Sequence, residues 1–510
     1  MAFIHTLDLK QIQAMVNRLF LAFFLLLSQI SMAQGTHECS CSEIGIDTLW
    51  AKENNINCFK FPVNLIYNDA TKGNKNIAAI RAGKTEKSNL KPLLYLHGGP
   101  GISTLDNVQR YLDSKNWKQL RKKHDIIMMD YSGTGFSEPY LCENILDSIK
   151  KIEKSTLSGI EKKEKKIQLT MDCRDSLEHN NVDINTFTSF QIAADADAVR
   201  KHLNIDKWQI YGISYGTLVA LLSARHFPEN IECIVLDSPL PPNAPYFDFV
   251  STMNETLKHM QGKVSAEPTT ATHFPDIISD FTTTSDRLNN QPVKIQGYDF
   301  TGDDFAWAML MTFYQTKTVK LIPLALKEFA SGNDSLLLKW LSVLHSENQY
   351  GKPNDFQNKA ITCYECKPKN YHETPQALER KYPHLKSLSG KDYMEICQIF
   401  RPEHPNESFH KPVESNIPIL VMSGEYDPGT PTSFALATVE KLSNATLVIV
   451  PNASHAAMHY NECTFMLVEN FLENPGKSKD TKCINETEKI KFATSDLSGE
   501  LDKIAPNAKR

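Results

Sequence analysis

The chain has 510 residues, of which 41% are hydrophobic and 23% are charged, proportions typical of a soluble globular protein. This length is enough for two or three domains. The formal net charge of −5 is small for the size, so it does not indicate nucleic acid or an anionic membrane as a partner.

The N-terminus has the three parts of a secretory signal peptide. Lys10 and Arg18 precede the apolar run 19–27, and Ser31-Met32-Ala33 supplies small residues for cleavage. Met15 is an equally natural start. An uncleaved anchor is the alternative, but the run is shorter than the roughly 20 residues that a spanning helix needs. We therefore expect an exported protein, periplasmic or secreted, with no stable membrane insertion after cleavage.

All eleven cysteines follow that segment, which fits an oxidising compartment. Two pairs bracket local polar insertions and are the favoured disulfides: Cys142 with Cys173, and Cys463 with Cys483. Two further pairings stay open: Cys58 with Cys39 or Cys41, and Cys397 with Cys363 or Cys366. Cys233 lies in an apolar run and is expected to be a buried thiol. No Cys-x-x-Cys pair recurs at zinc-finger spacing, so no metal site is expected.

Short apolar runs separated by turn signals predict eight strands. They cover residues 63–67, 77–81, 92–96, 126–129, 208–211, 233–236, 418–422 and 446–450. The first two are expected to form an antiparallel hairpin. Helical patterns such as 192–203 and 433–442 lie between several of the others, and this alternation predicts a mostly parallel α/β sheet.

About 170 residues separate the sixth and seventh predicted strands. Connections longer than about 15 residues are uncommon in compact domains, so residues 241–411 are expected to form a helical cap. The core then consists of residues 34–240, after a signal peptide at 1–33, and of residues 412–475. Residues 476–510 are expected to be a polar, partly disordered tail. A Lys/Glu-rich stretch at 145–168 predicts a solvated helix.

A Gly-x-Ser-x-Gly motif, Gly212 to Gly216, joins the fifth predicted strand to a helix-forming run at 218–226. This is the sequence form of a nucleophile elbow, in which a serine on a sharp strand-to-helix turn presents its hydroxyl above the sheet. An isolated motif of this kind is also compatible with an ordinary turn. Ser214 is therefore the candidate nucleophile.

A serine nucleophile needs a base and a carboxylate that orients the base. In hydrolase sheets the three residues follow the order serine, acid, histidine. Asp427 and His455 lie just beyond the ends of the last two predicted strands, where such sheets place their chemistry. Glu425 competes with Asp427, which we prefer because it is closer to the turn.

The third predicted strand runs into His97-Gly98-Gly99-Pro100-Gly101. Acyl transfer develops an oxyanion that needs preorganised N–H donors. We assign these donors to the backbone amides of Gly99 and of Tyr215, the residue after the nucleophile. A phosphate-binding loop is the alternative, but the Lys-Ser/Thr pair of such loops is missing.

Taken together, these segments and Asp130-Tyr131-Ser132-Gly133-Thr134-Gly135-Phe136-Ser137 resemble the secreted α/β-hydrolase aminopeptidases. These are the relatives of prolyl iminopeptidase and tripeptidyl aminopeptidase, and the resemblance covers about residues 58–473. It implies an α/β-hydrolase fold with a large helical cap, and an aminopeptidase that needs no metal or cofactor. Ser132 stands where the family usually has an arginine, so the contacts of that arginine are lost and substrate preference is expected to differ.

We therefore expect an exported serine hydrolase, an aminopeptidase that acts on short peptides and releases N-terminal residues or short peptides. Such an enzyme needs an acid in the cap to pair with the free amine, and Glu365 is a candidate. A carboxylic-ester hydrolase is the first alternative, because one triad serves esters and amides. A catalytically silent secreted binding protein is the second. Neither residue preference nor oligomeric state follows from the sequence.

Overall fold

The structure, a computed structural model, describes residues 37–140, 142, 145–153, 155, 157, 159–245, 248–295, 297–347, 354–365, 373–400, 407–477 and 481–505. Of the two compact units into which the chain divides, residues 1–39 and residues 40–510, the second contains all the elements that follow. The predicted signal peptide, residues 1–33, lies outside the described residues.

In the described part of the chain, the strands form one large sheet and one small hairpin. In chain order they are β1 (Ile56–Ile66), β2 (Asp69–Ala82), β3 (Leu93–Leu96), β4 (Ile126–Met129), β5 (Trp208–Ile213), β6 (Ile231–Asp237), β7 (Val293–Ile295), β8 (Tyr298–Phe300), β9 (Ile419–Gly424) and β10 (Ala445–Val450). The large sheet has eight strands in the order β1-β2-β4-β3-β5-β6-β9-β10, and β7 pairs with β8. The predicted eight-stranded α/β sheet is confirmed.

The strand directions also agree with the predicted antiparallel first hairpin and mostly parallel sheet. β2 is antiparallel to β1 and to β4, whereas all other neighbours in the large sheet are parallel. Every residue of β3 and β4 is buried. Central parallel strands are covered on both faces, which is why these two read as continuous apolar runs without alternation.

Helices fill most of the connections. Before the sixth strand they are α1 (Thr48–Glu53), α2 (Val108–Asp113), α3 (Lys115–Lys123), α4 (Ile145–Glu153), α5 (Gly159–His179), α6 (Ser189–His202) and α7 (Tyr215–His226). The insertion between β6 and β9 contributes α8 (Phe249–Ser265), α9 (Pro268–His273), α10 (Ile277–Asn290), α11 (Gly302–Phe313), α12 (Ile322–Ala330), α13 (Asp334–Glu347), α14 (Asp355–Glu365), α15 (Pro375–Lys381) and α16 (Lys391–Phe400). The last four are α17 (Thr432–Val439), α18 (Glu462–Glu473), α19 (Lys482–Asn485) and α20 (Leu497–Ile504). No helix in the described part of the chain is both long and apolar enough to span a bilayer.

Short 3₁₀ helices punctuate the loops. They cover Cys41–Ile44, Leu105–Asn107, Ile184–Thr186, Pro228–Asn230, Thr316–Leu321, Pro383–Leu388, Glu407–His410 and Ala457–His459. Two of the long helices begin at sequence-encoded caps. Thr188 Oγ1 accepts a hydrogen bond from the Gln191 amide at the start of α6, and Thr301 with Asp304 forms a capping box at the start of α11. Such caps satisfy amides that have no acceptor within the helix.

Two hydrophobic cores are formed by the described residues. The first packs α6 and α7 against the large sheet, with Ile192, Val199 and Leu218 among its buried members. The second belongs mainly to the helical insertion and contains several large aromatic side chains: Phe281, Phe305, Phe313, Phe329 and Trp340. Tyr426, from the loop after β9, is also buried in the second core. The insertion therefore has a core of its own, next to the loop that carries Asp427.

The C-terminal segment differs from the polar tail that the sequence predicts. Residues 481–505 contain α19 and α20, and Phe492, Leu497 and Leu501 are buried in the second core. The Ala493 amide donates to the Lys320 carbonyl at 3.0 Å. A few apolar side chains are enough to pack a mostly polar segment against a neighbouring surface. The average composition of the segment does not reveal these side chains.

Disulfides join four cysteine pairs in the described part of the chain. They are Cys41–Cys58, Cys142–Cys173, Cys363–Cys397 and Cys463–Cys483. Both favoured pairings are confirmed, and the two open ones are decided in favour of Cys41 and Cys363. Cys366 lies outside the described residues. Cys233 is fully buried in β6.

Candidate active site

Ser214 lies on the turn between β5 and α7. Its backbone has φ 54° and ψ −127°, a conformation that costs a non-glycine residue about 1–3 kcal/mol. The flanking glycines allow the turn to pack tightly, because a Cβ on Gly216 would lie 2.1 Å from the Leu96 carbonyl oxygen. The Ser214 amide donates to the Asp237 carbonyl at 2.9 Å, which ties the turn to β6. This is the geometry of a nucleophile elbow.

The glycine loop after β3 lies directly against this serine. A Cβ on Gly98 would lie 3.1 Å from Ser214 Cβ and 3.5 Å from its Oγ. Gly99 has φ +124°, which favours glycine. Two side chains hold the loop in place: Tyr131 donates to the His97 carbonyl at 2.8 Å, and Asn358 donates to the Pro100 carbonyl at 2.9 Å.

The two amides assigned to the oxyanion border the same small pocket as the serine. Gly99, Ser214 and Tyr215 line one cavity of about 70 Å³. Tyr215 is the first residue of α7, where helix geometry leaves an amide without an intrahelical acceptor. The amide of such a residue is therefore available to a ligand at the helix N-terminus.

Asp427 and His455, from the loops after β9 and β10, are brought together. His455 Nδ1 lies 2.7 Å from Asp427 Oδ2, and both side chains are largely buried. Asp427 also accepts hydrogen bonds from the Gly429 amide at 2.9 Å, the Thr430 amide at 3.0 Å and the Thr430 hydroxyl at 2.8 Å. These contacts hold the carboxylate in one orientation, facing the imidazole.

The charges of this pair perturb both groups. Burial raises the pKa of Asp427, but His455 and the Thr430 hydrogen bonds outweigh it, so the pKa is lowered. Burial lowers the pKa of His455, but the Asp427 carboxylate outweighs it, so the pKa is raised. A carboxylate that remains ionised and holds Nδ1 leaves Nε2 as the nitrogen available for proton transfer.

Glu425, the competitor of Asp427, has other partners. It accepts a hydrogen bond from the Asn452 amide at 2.9 Å, contacts His259 Nε2 at 3.1 Å and pairs with Lys263. Burial raises the pKa of Glu425, but these partners lower it more, to about 2. Asp427 is therefore the carboxylate that contacts His455.

Asp237, at the end of β6, holds the loop that follows His455. Its carboxylate is fully buried and accepts hydrogen bonds from the Ala457 amide at 2.8 Å and the Met458 amide at 3.0 Å. The Tyr211 hydroxyl donates to the same carboxylate at 2.7 Å. No sequence motif identifies this residue. The only feature of the sequence that marks Asp237 is its position as an acidic residue at the end of an apolar strand.

Asp248 is a second acid that no sequence motif identifies. It is 2% exposed and lines the pocket of Ser214 together with a mostly apolar group of side chains: Leu240, Pro245, Phe249, Thr252 and Phe434. One oxygen, Oδ1, accepts a hydrogen bond from the Ser251 amide at 3.0 Å and so caps α8. A buried carboxylate thus borders the same cavity as the candidate nucleophile.

Glu365, the acid that the sequence suggested for amine binding, lies elsewhere. Its carboxylate accepts hydrogen bonds from the Ser189 amide at 2.6 Å and the Ser189 hydroxyl at 2.7 Å, at the start of α6. It lines a different cavity, of about 220 Å³, which does not include Ser214. Both oxygens of Glu365 are thus engaged at the first residue of α6, next to the Thr188 cap, and its role as the amine-binding acid stays an untested prediction.

Ser132, which stands where the family usually has an arginine, is buried and donates a hydrogen bond to Asp195. Lys75, from β2, pairs with the same carboxylate at 2.9 Å, and both charged side chains are almost completely buried. Gln191 donates to the other oxygen of Asp195 at 2.7 Å. The Lys75 ammonium group is thus a cation close to Ser132, but it comes from β2 and not from position 132 itself.

His455 borders a much larger cavity, of about 990 Å³. Tyr314, at the end of α11, lines this cavity and also the pocket of Ser214. Its ring meets the His455 ring edge-on, with centroids 4.7 Å apart. Tyr314 therefore separates a small pocket at the serine from a large one at the histidine. Among the residues that the structure describes, no group of three or more His, Cys, Asp or Glu side chains is placed to hold a metal ion.

Comparison with known proteins agrees with this geometry. A family model described as alpha/beta hydrolase fold matches residues 91–462, a span that includes Gly99, Ser214, Asp427 and His455. The chain is 22% identical over 419 residues to the tripeptidyl aminopeptidase of Streptomyces coelicolor, covering 77% of this chain and 76% of that protein. It is also 22% identical over 383 residues to serine protease Hip1 of Mycobacterium tuberculosis, covering 69% of this chain and 72% of that protein.

A shorter match involves a probable proline iminopeptidase of Leptolyngbya boryana. It is 24% identical over 148 residues, which is 29% of this chain and 31% of that protein. The chain therefore spans less than a third of the length of this relative. The resemblance to aminopeptidase relatives that the sequence motifs indicate is confirmed, at low identity.

Proposed function

The chain belongs to the α/β-hydrolase fold family, and from this membership we propose that it is an exported serine hydrolase of the aminopeptidase type. Its substrates are short peptides with a free N-terminus. The observation that carries the proposal is that Ser214, on its strained turn, shares one pocket with the buried carboxylate of Asp248.

Ser214 Oγ attacks the scissile carbonyl, and His455 Nε2 takes the serine proton. Asp427 accepts the hydrogen bond of the Nδ1 proton, which sets the tautomer and stabilises the imidazolium that forms. The 2.7 Å contact between His455 and Asp427 supports this assignment. His455 then gives the proton to the leaving amine, and water frees the acyl-enzyme in a second round of the same chemistry.

The tetrahedral intermediate carries a negative oxygen, which the amides of Gly99 and Tyr215 stabilise. Both residues border the cavity that contains Ser214. Preorganised amides in a site with little water avoid reorganisation during the reaction, and loss of one such donor costs about 10²–10³-fold in kcat.

Asp248 supplies the specificity for a free N-terminus. We assign its Oδ1 to the helix cap and its Oδ2 to the α-ammonium group of the substrate. Because the carboxylate is 2% exposed, an ammonium group that pairs with it does so away from bulk water, where the interaction is strong. The apolar side chains of the same pocket receive the first side chain of the peptide. The relatives named tripeptidyl aminopeptidase and proline iminopeptidase support this class of reaction.

Export is part of the proposal. The disulfides support it, since such bonds form and persist in oxidising compartments. Cell fractionation followed by N-terminal sequencing of the mature protein tests it. Recovery of an uncleaved chain in the cytoplasmic fraction would contradict it.

A substrate panel tests the enzymatic claim. It contains aminoacyl and tripeptidyl fluorogenic amides, their N-acetylated forms and short-chain esters. A fluorophosphonate probe first reports on the nucleophile, and an adduct on Ser214 is expected. Turnover of free-amine substrates and at least about tenfold slower turnover of their acetylated forms are expected. Turnover of esters alone would identify a carboxylic-ester hydrolase, and absence of an adduct would favour a silent binding protein.

Asp248→Asn isolates the amine contact. Asparagine is as good a helix cap as aspartate, so α8 keeps its start while the charge is lost. The preference for a free over an acetylated N-terminus should fall by about tenfold or more, with little change for the acetylated substrate. An unchanged preference would remove Asp248 from the amine site.

A further inference from the structure

We propose that the large cavity at His455 is a lysine-lined subsite that binds the carboxylate of the leaving peptide. The proposed enzyme would then favour short peptides with a free C-terminus or an acidic residue on the leaving side. This inference rests on the proposed function. There, the negative Asp248 carboxylate binds the substrate's amine on one side of the scissile bond. The positively charged lysines would bind a carboxylate on the other side.

The chemistry of the reaction assigns the two cavities to the two halves of the substrate. The acyl half becomes attached to Ser214 and places its oxygen at the Gly99 and Tyr215 amides, all of which border the small pocket. The leaving half receives its proton from His455, which borders the large cavity. Tyr314 lines both cavities, so it marks the boundary between them.

The large cavity is positively charged although the chain as a whole has a net charge of −5. Its charged side chains other than histidine are five lysines and two glutamates, a surplus of three positive charges: Lys317, Lys320, Lys489, Lys491, Lys503, Glu488 and Glu500. A cavity lined by one sign of charge concentrates ligands of the opposite sign.

The two glutamates pair with three of the five lysines. Glu500 lies 2.8 Å from Lys320 and 2.5 Å from Lys503, so one carboxylate is shared by two lysines. Hydrogen bonds from these two lysines lower the pKa of Glu500 to about 2. Glu488 lies 3.6 Å from Lys491, and both side chains are almost fully exposed. An exposed pair at this distance contributes little and leaves Lys491 able to meet a ligand.

The C-terminal segment that carries Lys489 and Lys491 is anchored to two residues that line the cavity, Asn452 and Lys320. Asn452, three residues before His455, donates through Nδ2 to the Glu488 carbonyl at 2.7 Å. The Ala493 amide donates to the Lys320 carbonyl at 3.0 Å, and the Phe492 side chain between them is buried. The lysines therefore stand on backbone that is fixed relative to the histidine loop.

Three matched peptides test the subsite. All share one N-terminal half and differ in the leaving half: a neutral dipeptide with a free C-terminus, the same dipeptide as a C-terminal amide, and an amidated dipeptide that contains aspartate. Cleavage is followed by liquid chromatography. The first and third distinguish a terminal carboxylate from a side-chain carboxylate, and the second carries neither.

The test variant is the double substitution Lys489→Gln with Lys491→Gln. The control is Lys207→Gln with Lys477→Gln, two exposed lysines outside the cavity. The control removes the same net charge, and a melting temperature for each variant reports on folding.

The wild type should cleave the free-carboxylate peptide about threefold to tenfold faster in kcat/KM than the amide, at low salt. The preference should shrink toward one at about 1 M salt, where the Debye length is about 3 Å. It should fall by about half or more in Lys489→Gln/Lys491→Gln and stay unchanged in the control.

Equal cleavage of the carboxylate and amide peptides by the wild type, or a preference that is indifferent to salt, would overturn the subsite. So would an equal loss in both double variants, which would indicate long-range charge alone. Each of these outcomes is compatible with aminopeptidase activity, so it would overturn the subsite and not the proposed function. Failure to cleave any of the three peptides would instead overturn the proposed function, and this inference with it.

Discussion

His455 Nδ1 lies 2.7 Å from Asp427 Oδ2, and three further hydrogen bonds from the Gly429–Thr430 turn hold that carboxylate in place. The Asp427 carboxylate therefore fixes the orientation of the imidazole, and the Gly429–Thr430 turn fixes the orientation of the carboxylate. This arrangement sets the pH behaviour and the sensitivity to substitution that follow from the proposed mechanism.

The first prediction concerns the acid limb of the pH–rate profile. His455 must be neutral to take the serine proton, and Asp427 raises its pKa above the ordinary value of 6.5 despite burial. Protonation then begins at higher pH, so kcat/KM should fall as the pH drops through a value above 6.5. Asp427→Asn should lower kcat by roughly 10⁴-fold and move the residual acid limb to lower pH. A profile that is flat from pH 5 to 8 would contradict the role of His455.

The second prediction concerns Asp237, a positioning residue that holds the loop after His455. Asp237→Asn leaves fewer acceptors for the two loop amides and removes a charge that also raises the pKa of His455. We expect kcat to fall by about tenfold to 100-fold, with the acid limb shifted to lower pH. Tyr211→Phe removes another hydrogen bond to the same carboxylate and leaves the loop contacts intact, so it is the control. An acid limb unmoved in Asp237→Asn would reduce this residue to a purely structural role.

The third prediction concerns the buried ion pair beside Ser132. Lys75→Met leaves the Asp195 carboxylate buried without its cation, which costs about 3–5 kcal/mol. Lys115→Met is the matched control, because Lys115 pairs with Glu462 at 3.5 Å in full exposure and should change stability by at most about 1 kcal/mol. Thermal denaturation compares the two variants. Equal melting temperatures would show that the buried pair does not stabilise the fold.

The fourth prediction concerns stability in acid. Interactions with His259, Lys263 and the Asn452 amide hold the pKa of Glu425 near 2, below its ordinary value of 4.5. The carboxylate therefore stabilises the folded state above about pH 4.5, and this contribution is lost as the pH falls toward 2. Glu425→Gln should lower the free energy of unfolding by on the order of 2–3 kcal/mol at neutral pH. Denaturation at several pH values should show the difference from wild type shrinking below pH 4.5, and a constant difference would disprove the linkage.

Much of the sheet could be predicted because its central strands are continuous apolar runs. The full length of the first hairpin could not, since β2 begins with exposed polar residues and β1 begins at Ile56, in a stretch where polar residues such as Asn57 and Lys60 interrupt the apolar ones. The hairpin of β7 and β8 has three residues in each strand, too few for a periodic signal. The C-terminal helices depend on a few buried side chains within a polar segment, so composition alone predicts disorder there.

In the candidate site, too, some residues could be predicted from the sequence and others could not. Ser214, Gly99, Asp427 and His455 stand in motifs at strand ends, and the sequence order of a hydrolase sheet identifies them. Asp237 and Asp248 are single acids without a motif. Their place in the site depends on which loops the fold brings together. Glu365 has no motif either, and its contacts with Ser189 at the start of α6 depend on the tertiary structure.

The most direct test of the central claim compares the wild type with Ser214→Ala on a short peptide with a free N-terminus. The measured quantity is kcat, with a melting temperature to verify that both proteins are folded. We predict turnover by the wild type and a loss of roughly 10⁴-fold or more in Ser214→Ala. Equal turnover by the two proteins, or no peptide turnover by a wild type that hydrolyses esters, would contradict the account.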